Sequence, residues 1–379
     1  MLCMSLAACG EEKDSAPKTP EPAPVDAPDN SAAPEEELTH GTGLIVDFEE
    51  VEEPDENPDR AITRAPGPIL QNVITKLDGT GLRGDAYFYR ALLPEAYQPA
   101  YDVIRAGLVE GSASIDMPVA IPKADFKTVY RAVYYDSPDL FWVDGGFSYS
   151  YNKYDQVTKV KPKYNELASD IAGNRVKMEQ AVSGALADMW SLSDPTAQVK
   201  YAHDYLVSTI TYDLNSTYNQ TAYSALVNGK TVCAGYSRAF QYMMQKMGIR
   251  CGYIVGTCSG AVSGAHAWNI VELDGEFYAM DVTWDDPIGA KEGKFYYDYF
   301  NITDQKLSAD HARTEPSSSL PAASGTSKSF ASAFGGSQFG TDFNAINGTL
   351  PEGYGTSTTF LGDSGSTGSA DVSGNPYLS

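Results

Sequence analysis

Cys233, His266 and Asp281 stand in the segments Thr231-Val-Cys-Ala-Gly-Tyr-Ser237, Gly264-Ala-His-Ala-Trp-Asn269 and Tyr278-Ala-Met-Asp-Val-Thr-Trp284. A thiol, an imidazole and a carboxylate together can carry acyl transfer through a thioester: the thiol ionises and attacks, the ring takes its proton, and the carboxylate fixes the ring tautomer. Taken singly, each has a plainer reading. A cysteine opening an apolar helix is commonly a packed small hydrophobe, and a histidine beside Trp268 a satisfied, half-buried one. Asp281, between Met280 and Val282, is costlier to bury without a partner.

The elements that must position the three can be read locally. Residues 266–284 form two strands around Asp274-Gly275, a dipeptide suited to a two-residue type I′ turn. That turn sets Leu273 opposite Glu276, Val271 opposite Tyr278 and Trp268 opposite Asp281. His266 then shares a face with Asp281 one diagonal step away, within side-chain reach, whereas a slip of one residue would part them. Tyr236, Ala239, Phe240, Met243, Met244 and Met247 recur at helical spacing up to Gly248. This puts Cys233 at a helix N-terminus, where free amides and the dipole favour a thiolate and can hold an oxyanion. Gln220 or Tyr223, upstream of the nucleophile, are candidates to complete that hole.

These segments resemble the transglutaminase-like domain of the papain-like thiol superfamily, as found in bacterial surface proteins. The resemblance runs from about Lys200 to Asp304. It is carried by Tyr201-Ala-His-Asp-Tyr-Leu206, Ala222-Tyr-Ser-Ala-Leu-Val-Asn-Gly-Lys-Thr-Val-Cys-Ala-Gly-Tyr236, His266-Ala-Trp-Asn269, Asp281-Val-Thr-Trp-Asp-Asp-Pro287 and Tyr299-Phe-Asn-Ile-Thr303. It implies an α+β core with the nucleophile at a helix N-terminus packed on an antiparallel sheet, and the triad Cys233, His266 and Asp281. It leaves the outcome open, since the family includes cross-linking enzymes, peptidases, amidases and inactive members.

Charge narrows the partners. The chain carries 50 acidic and 27 basic residues, a net charge of −23, which argues against nucleic acid. Residues 11–60 hold 17 acidic against 3 basic residues, so 14 of those charges, among many prolines. Such a stretch reads as an extended linker. Residues 316–379, rich in Gly, Ser and Thr, read as a low-complexity tail, although Phe330, Phe334, Phe339, Phe343 and Phe360 could dock on the core or on a surface polymer. Leu6-Ala-Ala-Cys9 resembles the lipobox of bacterial lipoproteins, implying lipid attachment at Cys9. Only eight residues, none basic, precede that cysteine, less than a full signal requires.

The expected organisation is therefore a truncated lipoprotein signal (1–9), an acidic Pro-rich linker (10–66), a small α/β region (67–165), the transglutaminase-like domain (166–315) and the tail (316–379). Within 67–165, helices are expected over 85–109, interrupted near Pro94 and Pro99, and over 126–135, with strands at 141–143, 147–151 and 157–160. A long helix follows over 166–192. Cys251 and Cys258 lie too far apart along one strand for a disulfide. No His or Cys spacing suggests zinc, no acidic loop suggests calcium, and no cofactor is expected. The expected function is a lipid-anchored, extracytoplasmic thiol enzyme acting on a protein or peptide substrate, with cell-wall peptide among the candidates. Hydrolysis as a peptidase or amidase is favoured, because no lid or aromatic wall for an amine channel is visible. A cross-linking transglutaminase and a catalytically silent surface binding module are the alternatives.

Overall fold

In a computed structural model, the structure describes residues 49–60, 62, 87–259, 264–288, 294–335 and 341–342. Cys9 and the lipobox lie outside them. In chain order the elements are β1 (Glu49–Pro54), α1 (Phe88–Leu92), α2 (Gln98–Val109), β2 (Ile115–Pro122), α3 (Lys123–Asp136), β3 (Val143–Tyr151), β4 (Gln156–Tyr164), α4 (Ile171–Ser191), α5 (Pro195–Thr209), β5 (Thr211–Tyr212), α6 (Ala222–Asn228), β6 (Lys230–Thr231) and α7 (Cys233–Lys246). Then follow β7 (Cys251–Cys258), β8 (Ala265–Leu273), β9 (Glu276–Met280), β10 (Lys294–Phe295), α8 (Asp304–Leu307), β11 (His311–Arg313), α9 (Phe330–Phe334) and β12 (Thr341–Asp342).

Two four-stranded sheets carry the mixed α+β architecture. The first has the order β1-β3-β4-β2, the second β11-β7-β8-β9. Aromatic packing builds the first: Phe126 and Tyr130 of α3 meet Phe147 of β3 at 5.6 and 4.3 Å. The second is wholly antiparallel, and its hairpin has the expected register, with Leu273 opposite Glu276 and Val271 opposite Tyr278. Asp274 and Gly275 have φ of 52° and 81°, the positive pair that a type I′ turn requires. Cys251 and Cys258 begin and end β7 and are free thiols.

Side chains of α7 join the two halves. The last carbonyls of α3 have no partners within their own helix, and a row on α7 supplies them. Arg238 Nη1 donates to the Tyr134 carbonyl, Gln241 Nε2 to that of Tyr135 and Gln245 Nε2 to that of Asp136, each at 3.0 Å. The spacing 238, 241, 245 is one helical face. Arg238 also lies over the Tyr134 and Tyr253 rings, 4.0 and 4.6 Å from their centroids. The helix that packs on the first sheet is thus bonded to the helix that begins at Cys233.

Both tail boundaries need correction. Residues 49–54, assigned to the linker, form an edge strand parallel to β3. Their glutamates find lysines there: Glu49 with Lys163, Glu52 with Lys123 and Glu53 with Lys161, at 2.9–3.0 Å. Composition reports charge repulsion within a segment and misses cations brought from elsewhere by the fold. At the other end, residues 316–335 belong to the core. Phe330 is fully buried and stacks on Tyr297 with centroids 3.8 Å apart and planes 9° from parallel, beside Phe300 and Phe334. Two smaller differences occur: Phe141 and Trp142 precede β3 in a turn, and β2 was not expected.

Phe330→Ala should therefore lower the unfolding free energy by about 3–5 kcal/mol. Chemical denaturation measures it; a loss under about 1 kcal/mol would mean that the tail only rests on the surface.

Candidate active site

Cys233 is the first residue of α7, and its position rests on a close approach. Gly235 faces β6: a Cβ there would lie 1.7 Å from Thr231 Oγ1, so only glycine admits the strand so near the helix start. Thr231 is in turn fixed, its hydroxyl donating to the Asn219 carbonyl at 2.8 Å. On the sheet side, Asn269 Nδ2 donates to the Ser237 carbonyl at 3.0 Å, and Ser237 Oγ lies 2.9 Å from the Ala267 carbonyl. The nucleophile helix is thereby held over the strand that carries His266.

The structure brings the three expected residues together. His266 Nε2 lies 2.5 Å from Asp281 Oδ2, and all three side chains are buried. The Cys233 thiol acts on the His266 ring by charge and hydrogen bonding. One ring nitrogen is thus committed to the carboxylate and the other remains for the thiol's proton. Burial opposes a charge on His266, but Asp281 and Cys233 outweigh it and lift the ring to about 10. Burial likewise opposes charge on Asp281, yet His266 and His311 hold it well below the ordinary carboxylate range. The pair accordingly favours imidazolium beside carboxylate. Trp268 and Trp284 wall the ring at 5.9 and 5.7 Å.

Of the two candidates for an oxyanion hole, Tyr223 is turned away. Tyr223 points to α4, its hydroxyl 3.4 Å from Asn174 Oδ1 and its ring against Phe141. Gln220 Nε2 donates to Asn219. Tyr212 was missed. Its strand β5 pairs with β6 so that Tyr212 stands opposite Thr231, two residues before the nucleophile. Its hydroxyl is buried without a hydrogen-bond partner, and its ionisation is pushed up by burial and then by Cys233, Cys258 and Asp281. A spare O–H donor in the field of the thiol is what the expected site lacked. Position after a helix, in Thr211-Tyr-Asp213, was the available signal.

His311 was missed as well, because histidines 45 residues apart give no spacing signal. Its strand β11 pairs with β7, His311 opposite Cys258, and its Nε2 lies 3.1 Å from Asp281 Oδ2. His266, Asp281 and His311 are a trio of buried potential metal ligands, with ligand atoms within 4.8 Å of one another. In this arrangement both ring Nε2 atoms are spent on the carboxylate.

A second buried network stands behind the site. His203 lies between Asp204 (Nδ1, 2.9 Å) and Asp285 (Nε2, 3.2 Å). Asp285 Oδ1 also accepts from the Tyr299 amide, and the Asp285 amide donates to the Asp281 carbonyl. The turn that aims Asp281 is therefore tied to α5. Burial opposes the His203 charge, but the two carboxylates raise its pKa to about 9.

Residues 185–282 match the family model described as the Transglutaminase-like superfamily. The matched stretch holds Cys233 and His266 and ends just after Asp281. Comparison with curated proteins finds no match. Among solved structures, the chain is similar to a TGase at 15% identity, over 37% of this chain and 44% of that one, with a TM-score of 0.26. It is similar at 14% to a Cytophaga hutchinsonii protein described as a candidate cysteine protease, over 49% and 61%, with a TM-score of 0.27. It is similar at 15% to the periplasmic domain of TgpA from Pseudomonas aeruginosa, over 34% and 55%, with a TM-score of 0.24. The chain thus spans less than two thirds of each.

The raised His203 value has a consequence for stability. A group whose folded pKa lies above its ordinary 6.5 contributes fully below about pH 6.5 and loses that contribution as pH climbs through about 9. The melting temperature should fall across that window, and by less in His203→Gln. Parallel curves for the two proteins would show that the ring is not held charged.

Proposed function

We propose that this protein is a thiol acyl-transfer enzyme in which Cys233 attacks a peptide or side-chain amide carbonyl. The observation that carries the reading is the His266 ring, with Nε2 on Asp281 and the Cys233 thiol acting on the same ring by charge and hydrogen bonding. His266 takes the thiol proton and delivers it to the departing amine, while Asp281 keeps the ring oriented. Charge on the tetrahedral oxygen is met by the amides opening α7, with Tyr212 as a further donor.

Hydrolysis of the thioester, making the protein a cysteine peptidase or amidase, is the outcome we favour, because no amine channel is identified among the described residues. One observation supports cross-linking instead: Cys233 has 0% exposure, and a thioester shielded from bulk water survives to meet an amine. On the Leu6-Ala-Ala-Cys9 motif we further propose a lipid anchor at Cys9 and an extracytoplasmic, cell-surface location, with surface proteins or cell-wall peptide as substrates.

The test incubates the protein with a glutamine-bearing protein and a dansylated amine, following fluorescence incorporation, ammonia release and new amino termini together. Cleavage or deamidation is expected to dominate; amine incorporation alone would establish the cross-linking reading, and none of the three would favour the silent module. Asp281→Asn should lower turnover by about 10⁴-fold. Unchanged turnover in that variant would overturn the triad.

A further inference from the structure

Asp281 is held by four donors, only one of which is the ring of the triad. Its Oδ1 accepts from the amides of Thr283 and Trp284 at 3.0 and 3.2 Å, and its Oδ2 from His266 at 2.5 Å and His311 at 3.1 Å. The amides belong to the turn that follows Asp281, so they move with it. His311 comes from a separate strand, beyond the matched residues 185–282, and so references the carboxylate to the opposite edge of the sheet.

The His311 ring is itself over-determined. Its Nδ1 lies 2.5 Å from Asp310 Oδ1, and Asp310 Oδ2 accepts from the Tyr299 hydroxyl at 2.6 Å. Trp284 meets the ring edge-on at 4.3 Å and Trp268 at 5.1 Å. The close approach needs Gly256, where a Cβ would lie 2.2 Å from the Ala312 carbonyl and 2.4 Å from the Trp268 ring. Facing a carboxylate oxygen at each nitrogen, the ring serves both as a donor only with both N–H groups in place.

Resting on the triad reading, we propose that His311 is a positioning residue. Held by Asp310 and Tyr299, it donates to Asp281 Oδ2 and thereby keeps that carboxylate aligned with His266. Two N–H donors on one oxygen also restrain its basicity, so Asp281 orients the imidazolium and leaves the proton on it. The line Tyr299–Asp310–His311–Asp281–His266 therefore acts as one hydrogen-bonded unit behind the thiol, and His311 touches no reacting atom.

Three variants of the full chain test this. His311→Phe keeps a ring of similar shape without a donor, His311→Gln restores an N–H, and Asp310→Asn keeps an acceptor for Nδ1 without the charge. Two readouts apply: proton NMR of the low-field His266 N–H in ¹⁵N-histidine-labelled protein, assigned by its loss in His266→Gln, and kcat against KM in the assay above. His311→Phe should broaden or shift that resonance and lower kcat by about 10–100-fold with KM within about threefold, as loss of an orienting partner does. His311→Gln should recover most of both, and Asp310→Asn should fall between. The NMR arm needs no substrate: resonance changes without any turnover in the wild type would leave the positioning role standing and remove the enzymatic reading. A resonance and kcat unchanged in His311→Phe, or a Gln variant no better than Phe, would overturn the proposal. Should His311→Phe fail to fold, an unaltered resonance in Asp310→Asn would do the same.

Discussion

A carboxylate at 1% exposure is tolerated only if its charge is answered on every side. Asp281 meets that demand with two amides and two imidazoles, and much of the surrounding structure exists to deliver them. The amides require the turn after β9 to close tightly, which the Asp285 amide achieves by bonding back to the Asp281 carbonyl. Asp285 is anchored in turn by His203 and the Tyr299 amide. The imidazoles require β8 and β11, the two neighbours of β7, to present their rings to one carboxylate. Removing any one donor leaves a buried charge short of a partner, which costs more than the bond alone returns.

The second requirement is that the thiol meet the ring. Here the region before residue 165 helps to position Cys233. Its α3 ends against Arg238, Gln241 and Gln245, so the axis of α7 is fixed by a second element besides the sheet. Gly235 against Thr231 fixes the helix start, and Asn269 fixes its height over β8. Tyr297, packed between His203 and Phe330, extends the same support into the segment after residue 316.

The placement of Cys233, His266 and Asp281 was legible because each depends on local rules. A two-residue Asp-Gly turn sets register by arithmetic, and an apolar repeat ending at Gly248 places Cys233 at a helix start. What stayed hidden depends on long-range contacts. His311 reaches Asp281 through an edge strand of three residues, too short to show alternation. Tyr212 is set opposite Thr231, two residues before Cys233, through a two-residue parallel pair with β6. Glu49 to Glu53 look like linker until Lys123, Lys161 and Lys163 are brought opposite, and Phe330 looks like low-complexity sequence until Tyr297 lies beneath it. Tyr223, closer in sequence to the nucleophile than Tyr212, turns away because α6 presents it to α4.

The central claim is that His266 and Asp281 make Cys233 a nucleophile. It is tested most directly by brief iodoacetamide treatment of the folded protein near pH 7, with labelling mapped by mass spectrometry. Burial pushes up the thiols of Cys251 and Cys258, the latter to about 12, so both supply an internal background. The account predicts that Cys233 labels at least about tenfold faster than either and that Asp281→Asn removes most of the difference. Equal labelling of the three cysteines, or a Cys233 rate untouched by Asp281→Asn, would contradict it.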